Sequence, residues 1–326
     1  MAPKLAASFV LVLGLAMSAS AGATDPPSCR LQKYGQVELG VTNDSVTLPA
    51  SVNGKAVRLA LNIGSAYSAF WGDALNGLDL RRAELSSEDV IRIDGREVSY
   101  LAAFRSLSMG DIPFGRGTFL IAPPGKPHAK DVVGFIGMSA FQKVDFELDL
   151  AHRTLILFSQ NHCPGAGQNR FADNASMPLL MDRSGQWHVP IELEGHKVAP
   201  AFSSGEPLTT LSRDVARRLY GFDEDSPGVH VARDELRGTS YHYKAMQFTA
   251  PGLKVLNPTI ALVPGLKDCG LLIREHGVTG YTYCSDAYPV YIGLDILLKL
   301  RLYFATKERM LYFAAAEPRT ADRPQP

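Results

Sequence analysis

The chain has 326 residues, 33 Lys and Arg against 33 Asp and Glu, and 46% hydrophobic residues. That length accommodates two domains at roughly 100–200 residues each. A balanced charge without Lys/Arg blocks lacks the electrostatic footprint of a nucleic-acid binder, so no nucleic-acid partner is expected.

The first element is a targeting segment. Lys4 precedes an apolar run from Leu5 to Met17 and then small residues, which is the order of a secretory signal peptide. The run is shorter than the ~20 residues a spanning helix needs. Ala19-Ser20-Ala21 and Ala21-Gly22-Ala23 predict cleavage after Ala21 or Ala23, giving a signal peptide at 1–23 and an exported, periplasmic or secreted protein. No Cys directly follows the small residues, which argues against a lipid anchor, and no integral membrane segment is expected in the mature chain.

Four cysteines, Cys29, Cys163, Cys269 and Cys284, form an even set, and in an exported chain that predicts disulfides. Of three pairings we favour Cys269–Cys284, a short loop worth about 3 kcal/mol on the chain-entropy estimate, with Cys29–Cys163 tying the ends of the first half. His162 adjoins Cys163, but no second Cys or His stands at ligand spacing nearby, so neither a metal nor an organic cofactor is expected. Asn43-Asp44-Ser45 and Asn174-Ala175-Ser176 fit the glycosylation pattern of a eukaryotic host.

The mature region reads as short apolar or alternating runs broken by Gly, Asp and Pro, a β-rich pattern, and it repeats. Gly54-Lys-Ala-Val-Arg-Leu-Ala-Leu-Asn62-Ile-Gly64 aligns without gaps on Gly195-His-Lys-Val-Ala-Pro-Ala-Phe-Ser203-Ser-Gly205, an offset of 141. Phe135-Ile136-Gly137-Met138-Ser139 through Leu155–Phe158 aligns on Tyr291-Ile292-Gly293-Leu294-Asp295 through Leu311–Ala314 at an offset of 156, so the second copy has gained 15 residues. Units of this size are similar lobes rather than solenoid repeats. The predicted organisation is a first lobe at 24–162, a linker at 163–175, a second lobe at 176–316 and a flexible tail at 317–326. Ser212 is expected to cap a helix from Arg213 to Leu219 that Gly221 ends, and Ser139 and Asp295 to cap short apolar segments.

These features resemble the retropepsin-like aspartic peptidases in the bacterial form with two related lobes in one chain. The resemblance covers residues 36–316. It rests on the strand and turn at Leu59–Ser65, a hairpin around Asp94-Gly95, the Gly110-Asp111-Ile112 turn, and Val133-Gly134-Phe135-Ile136-Gly137 followed by Phe146-Glu147-Leu148-Asp149-Leu150. The resemblance implies an all-β fold with short helices, in which two pepsin-like or retropepsin-like lobes flank a cleft. One Asp-Thr/Ser-Gly turn per lobe would floor that cleft, and a hairpin flap with its tip at Asp94 and Gly95 would cover it. In that family the two carboxylates share a proton and activate water, and the middle hydroxyls tie the turns together.

Here the first turn reads Asn62-Ile63-Gly64-Ser65 and the second Ser203-Ser204-Gly205-Glu206. Asn62 and Ser203 stand where the catalytic aspartates should be, and neither is a general base. Ile63 has no hydroxyl for its half of the tie, whereas Ser204 keeps one. Glu206 reads as a solvated turn residue, and Ser203-Ser204 have no nucleophile-elbow context. Tyr67, Phe70 and Trp71 read as core under the turn. The loop bearing Cys269, Tyr281, Tyr283 and Cys284 falls in the second copy's extra length. The sequence therefore leans toward an exported, catalytically inactive protein that binds an extended peptide or exported-protein segment in its cleft. An endopeptidase with a non-standard site and a structural or interaction protein are the alternatives.

Overall fold

The computed structural model describes residues 30–85, 91–93, 96–123, 129, 131–171, 175–182, 185–221, 225–234, 238–244, 247–250, 252–256, 258–263, 283–284 and 290–317. The expected signal peptide, Cys29, Cys269, the hairpin tip Asp94-Gly95, Asn174 and residues 318–326 lie outside these.

The first lobe begins with a hairpin of Val46–Val52 and Lys55–Leu61. Along Val46–Val52 buried and half-buried residues alternate, as a strand with one face on the core requires. Its turn residues Asn53 and Gly54 have φ of 50° and 83°, the left-handed pair of a two-residue hairpin whose twist matches its strands. Glu194 and Gly195 repeat this at 51° and 78°, joining Ile191–Leu193 to His196–Val198. Arg153 and Arg309, related by the second offset, share φ of 56°. The two sequence offsets are thus repeated in backbone geometry.

Each lobe then makes the same three-strand crossing. Val132–Ile136 lies between Lys55–Leu61, parallel to it, and Ala69–Trp71, antiparallel to it. Val290–Ile292 lies likewise between Ala201–Phe202 and Thr210–Ser212. Val132–Ile136 is buried along its whole length, which explains its unbroken apolar run. At the end of each central strand stands a glycine against another backbone. A Cβ on Gly137 would sit 2.0 Å from the Tyr67 carbonyl oxygen, and one on Gly293 would sit 2.4 Å from that of Leu208.

The lobes share a six-stranded antiparallel sheet ordered Lys33–Glu38, Thr154–Phe158, Asp145–Asp149, Leu300–Ala305, Met310–Ala315, Ala175–Pro178. Its central pairing sets Phe146 opposite Phe304, Glu147 opposite Tyr303 and Leu148 opposite Leu302. Because the second offset relates Glu147 to Tyr303, the pseudo-twofold passes through that pair. One face carries Phe146 and Phe304, stacked 4.4 Å apart, into a core that includes Phe202, Ile63 and Met138. On the opposite face Tyr303 and Tyr312 pack with Phe158 and Phe171 beneath residues 159–171, which run from one lobe to the other.

The expected helix of the second lobe is a short α-helical turn, Arg213–Val215, continuing as a π-helical turn, Ala216–Tyr220. Gly221 ends it with φ of 70°. Ser212 holds the N-cap position without a side-chain cap hydrogen bond. Asp295 is not a cap either: Gly293 holds that position, and the carboxylate turns instead toward Thr209.

Candidate functional site

The two repeated turns meet at the lobe junction. Asn62 N–H donates to the Ile136 carbonyl at 2.9 Å, and Ser203 N–H donates to that of Ile292 at 2.8 Å, so each turn hangs from its own lobe's central strand. A Cβ on Gly64 would come within 2.9 Å of the Phe202 carbonyl oxygen and 3.0 Å of Ser203 Oγ. The first turn therefore needs a glycine for close approach to the second. Gly205 has only Asn62 Oδ1 near its Cβ direction, at 4.0 Å.

Within the first turn Asn62 Oδ1 accepts the Gly64 N–H at 3.1 Å. Across the junction Ser204 Oγ accepts the Ile63 N–H at 3.1 Å and donates to the Leu61 carbonyl. The reciprocal tie is missing because Ile63 ends in hydrocarbon packed into the core. A different residue reaches Ile63 from its other side: Gln186, buried in the second lobe, donates its Nε2–H to the Ile63 carbonyl at 3.1 Å. No motif signalled Gln186. Replacing Ser204 with Ala strands a buried N–H and a carbonyl, and a loss of about 1–3 kcal/mol is expected from the urea midpoint. Ser203 Oγ has no hydrogen-bond partner among the described residues, so Ser203→Ala is expected to leave that midpoint within about 0.5 kcal/mol.

Outside the turns the lobes reuse one scheme. Met138 N–H and Ser139 N–H donate to the carbonyls of Ser65 and Ala66, and Leu294 and Asp295 donate likewise to Glu206 and Pro207. Ser68 Oγ accepts the Gly137 N–H at 2.9 Å, and Thr209 Oγ1 accepts that of Gly293 at 3.1 Å. Asp295 Oδ1 accepts both the N–H and the hydroxyl of Thr209, at 2.7 and 2.9 Å. Burial raises the Asp295 carboxyl above its ordinary value against the pull of these bonds. It therefore acts as a brace for the second turn. Glu206 is half-buried, with its carbonyl engaged by Leu294.

Of the aromatic residues after the first turn, Phe70 is core, with rings of Phe104 and Phe119 at 6.1 and 5.1 Å, and Trp71 packs on Phe135. Tyr67 instead lines a cavity of about 490 Å³ with Ser68, Phe104, Phe119, Leu120 and Ser139. The strands flanking the hairpin tip, Ile91–Ile93 and Arg96–Glu97, pair antiparallel. A strand from the second lobe joins them, since Tyr283–Cys284 runs parallel to Ile91–Ile93. Cys163 is disulfide-bonded; its partner side chain lies outside the described residues. Among the described residues no cluster of His, Cys, Asp or Glu could hold a metal ion.

Comparison of the sequence with protein families and with curated proteins finds no match. Solved structures do match the fold. The aspartic proteinase of Irpex lacteus is 10% identical over 88% of this chain and 98% of its own, with a TM-score of 0.51. Conglutin gamma, a basic 7S globulin from lupine seeds, is 10% identical over 89% and 96%, with a TM-score of 0.47. Basic 7S globulin from soybean is 12% identical over 91% and 99%, with a TM-score of 0.46. The likeness to the Irpex proteinase identifies an all-β, two-lobed fold of the pepsin-like aspartic-protease type.

Proposed function

We propose that this chain is an exported, non-catalytic relative of the two-lobe retropepsin-like peptidases, and that it holds an extended peptide segment between its lobes. The carrying observation is that the two turns are assembled against each other while presenting an amide at Asn62 and a hydroxyl at Ser203. Attack by water on a peptide carbonyl needs a group that takes the water's proton near the working pH. Asn62 does not titrate there, and Ser203 has no base among its hydrogen-bond partners. The cavity beside Tyr67 is within the range of small ligand pockets and suits one large apolar side chain of an extended peptide, whose backbone would pair as a strand.

One set of assays tests this. The mature protein is expected to leave denatured casein intact from pH 3 to pH 8 and to bind peptides from a library saturably. Wild-type cleavage abolished by Asn62→Ala or Glu206→Ala would overturn the reading. The double change Asn62→Asp, Ser203→Asp is expected to release fragments in acid, and each single change to release none, because a lone carboxylate does not form the proton-sharing pair. A second reading has its own support: Tyr283–Cys284 docks on the first lobe's hairpin, as expected of a chain that fills its own cleft and works through its outer surface. Absence of saturable peptide binding would favour it.

A further inference from the structure

We propose that residues 159–171 form a pH-gated strap across the lobe junction, docked while His162 is an imidazolium and released when it loses its proton. The strap is the covalent link between first-lobe strand Thr154–Phe158 and second-lobe strand Ala175–Pro178. It lies on the face of the shared sheet that points away from the two turns, and it lies close: a Cβ on Gly167 would be 2.8 Å from the rings of both Tyr303 and Tyr312. Apart from Phe171, it brings few large apolar residues to hold it there.

Besides the Cys163 disulfide and the packing of Phe171, its anchors are polar. The His162 side chain is 1% exposed, and both ring nitrogens face acceptors. Nε2 stands 2.6 Å from Asp145 Oδ2, and Nδ1 stands 3.0 Å from the Cys163 carbonyl and 3.4 Å from Glu308 Oε1. A neutral imidazole has one N–H and would waste one of these contacts. Asp145 itself also accepts the Tyr303 hydroxyl and the Thr306 N–H. Glu308 accepts the strap's Gly165 N–H at 3.0 Å and the Tyr312 hydroxyl. The charges facing His162 are thus Asp145 from one central strand and Glu308 from the turn after the other. The Tyr303 and Tyr312 phenols stay neutral, with Tyr312 pushed up to about 12 by burial. Arg170, at the strap's far end, is committed to Glu147. Removing the His162 proton leaves Asp145 and Glu308 facing each other across a neutral ring, with no other cation between them among the described residues.

Burial alone would lower the pKa of His162, but the Cys163 carbonyl, the hydrogen bond and charge of Asp145 and the charge of Glu308 outweigh it and raise the value above its ordinary 6.5. A folded value above the unfolded one means that the contribution is complete below the unfolded value and is lost as pH rises through the folded one. This inference is independent of what the cleft holds.

Hydrogen exchange on the full mature chain, corrected for intrinsic rates, tests it from about pH 5 to pH 9. Protection of the 159–171 amides is expected to fall about tenfold or more as pH rises, while Val132–Ile136 keeps its protection. His162→Gln is expected to abolish the pH dependence and to leave the strap unprotected throughout. Ring-nitrogen NMR of wild-type His162, which needs no variant, is expected to report both nitrogens protonated at about pH 6. A neutral ring at pH 6, or strap protection that does not change with pH in wild type, would overturn the proposal.

Discussion

Gly137→Ala is expected to abolish the native fold: little soluble protein, and no cooperative thermal transition by circular dichroism. The added Cβ would lie 2.0 Å from the Tyr67 carbonyl oxygen and 2.7 Å from that of Ser65. Both atoms are backbone, so no rotamer change relieves the clash. Opening the crossing also breaks the Met138 and Ser139 hydrogen bonds to Ser65 and Ala66, which position the first turn. A cost beyond about 4 kcal/mol is expected, against a total stability of about 5–15 kcal/mol. Gly293→Ala should behave alike, with Leu208 C and O at 2.3 and 2.4 Å. Gly54 is the control. Its φ is 83° but nothing lies within 4 Å of a Cβ there, so Gly54→Ala carries only the left-handed penalty of about 1–2 kcal/mol. A Gly137→Ala protein as stable as Gly54→Ala would refute the steric account.

These glycines also show why the fold was legible in the sequence. Gly54, Gly64 and Gly137 recur as Gly195, Gly205 and Gly293: Gly64, Gly137 and Gly293 stand against another backbone, and Gly54 and Gly195 hold a left-handed φ that glycine adopts most readily. Repeated glycines therefore record repeated geometry even where the side chains have diverged. The two turns carry the same glycines, and the absent hydroxyl at Ile63 follows from its residue type alone. The Gln186 contact to the Ile63 carbonyl was not legible, because Gln186 acts from a segment far from either motif and a lone Gln carries no pattern. Asp295 was misread as a cap because capping is a local rule, whereas its partner Thr209 is 86 residues away.

The strap face was hidden by a different cause. Asp145-Phe-Glu-Leu-Asp149 alternates polar and apolar residues, which reads as a strand with a wet face, yet all five residues are buried. The cover is residues 159–171, whose Gly, Asn and Gln content reads as a linker. A polar face covered by a polar strap is invisible to hydrophobic periodicity, and the pairing of charges adds to the Cys163 disulfide and Phe171 in holding it.

That pairing sets the last expected result: Asp145→Ala should cost about 3–5 kcal/mol in urea unfolding, more than Glu147→Ala although both remove a buried carboxylate. The difference lies in what each leaves behind. Asp145 is surrounded by groups without access to water, namely His162 at 1% side-chain exposure, Tyr303 and the Thr306 N–H, so its loss strands a cation and two donors in the interior. Glu147 pairs with Arg170 and Arg301, whose side chains are 30% and 31% exposed. Those guanidiniums can turn to solvent, and Arg301 still has Asp149 at 3.1 Å, which limits the cost of Glu147→Ala to about 1–2 kcal/mol. A double-mutant cycle of Asp145→Ala with His162→Ala separates the pair from the packing. If the ion pair carries the effect, the double change costs less than the sum of the singles, by about 1–3 kcal/mol. Strict additivity would mean that Asp145 acts through Tyr303 and Thr306 alone, and the strap would then have no electrostatic anchor at His162.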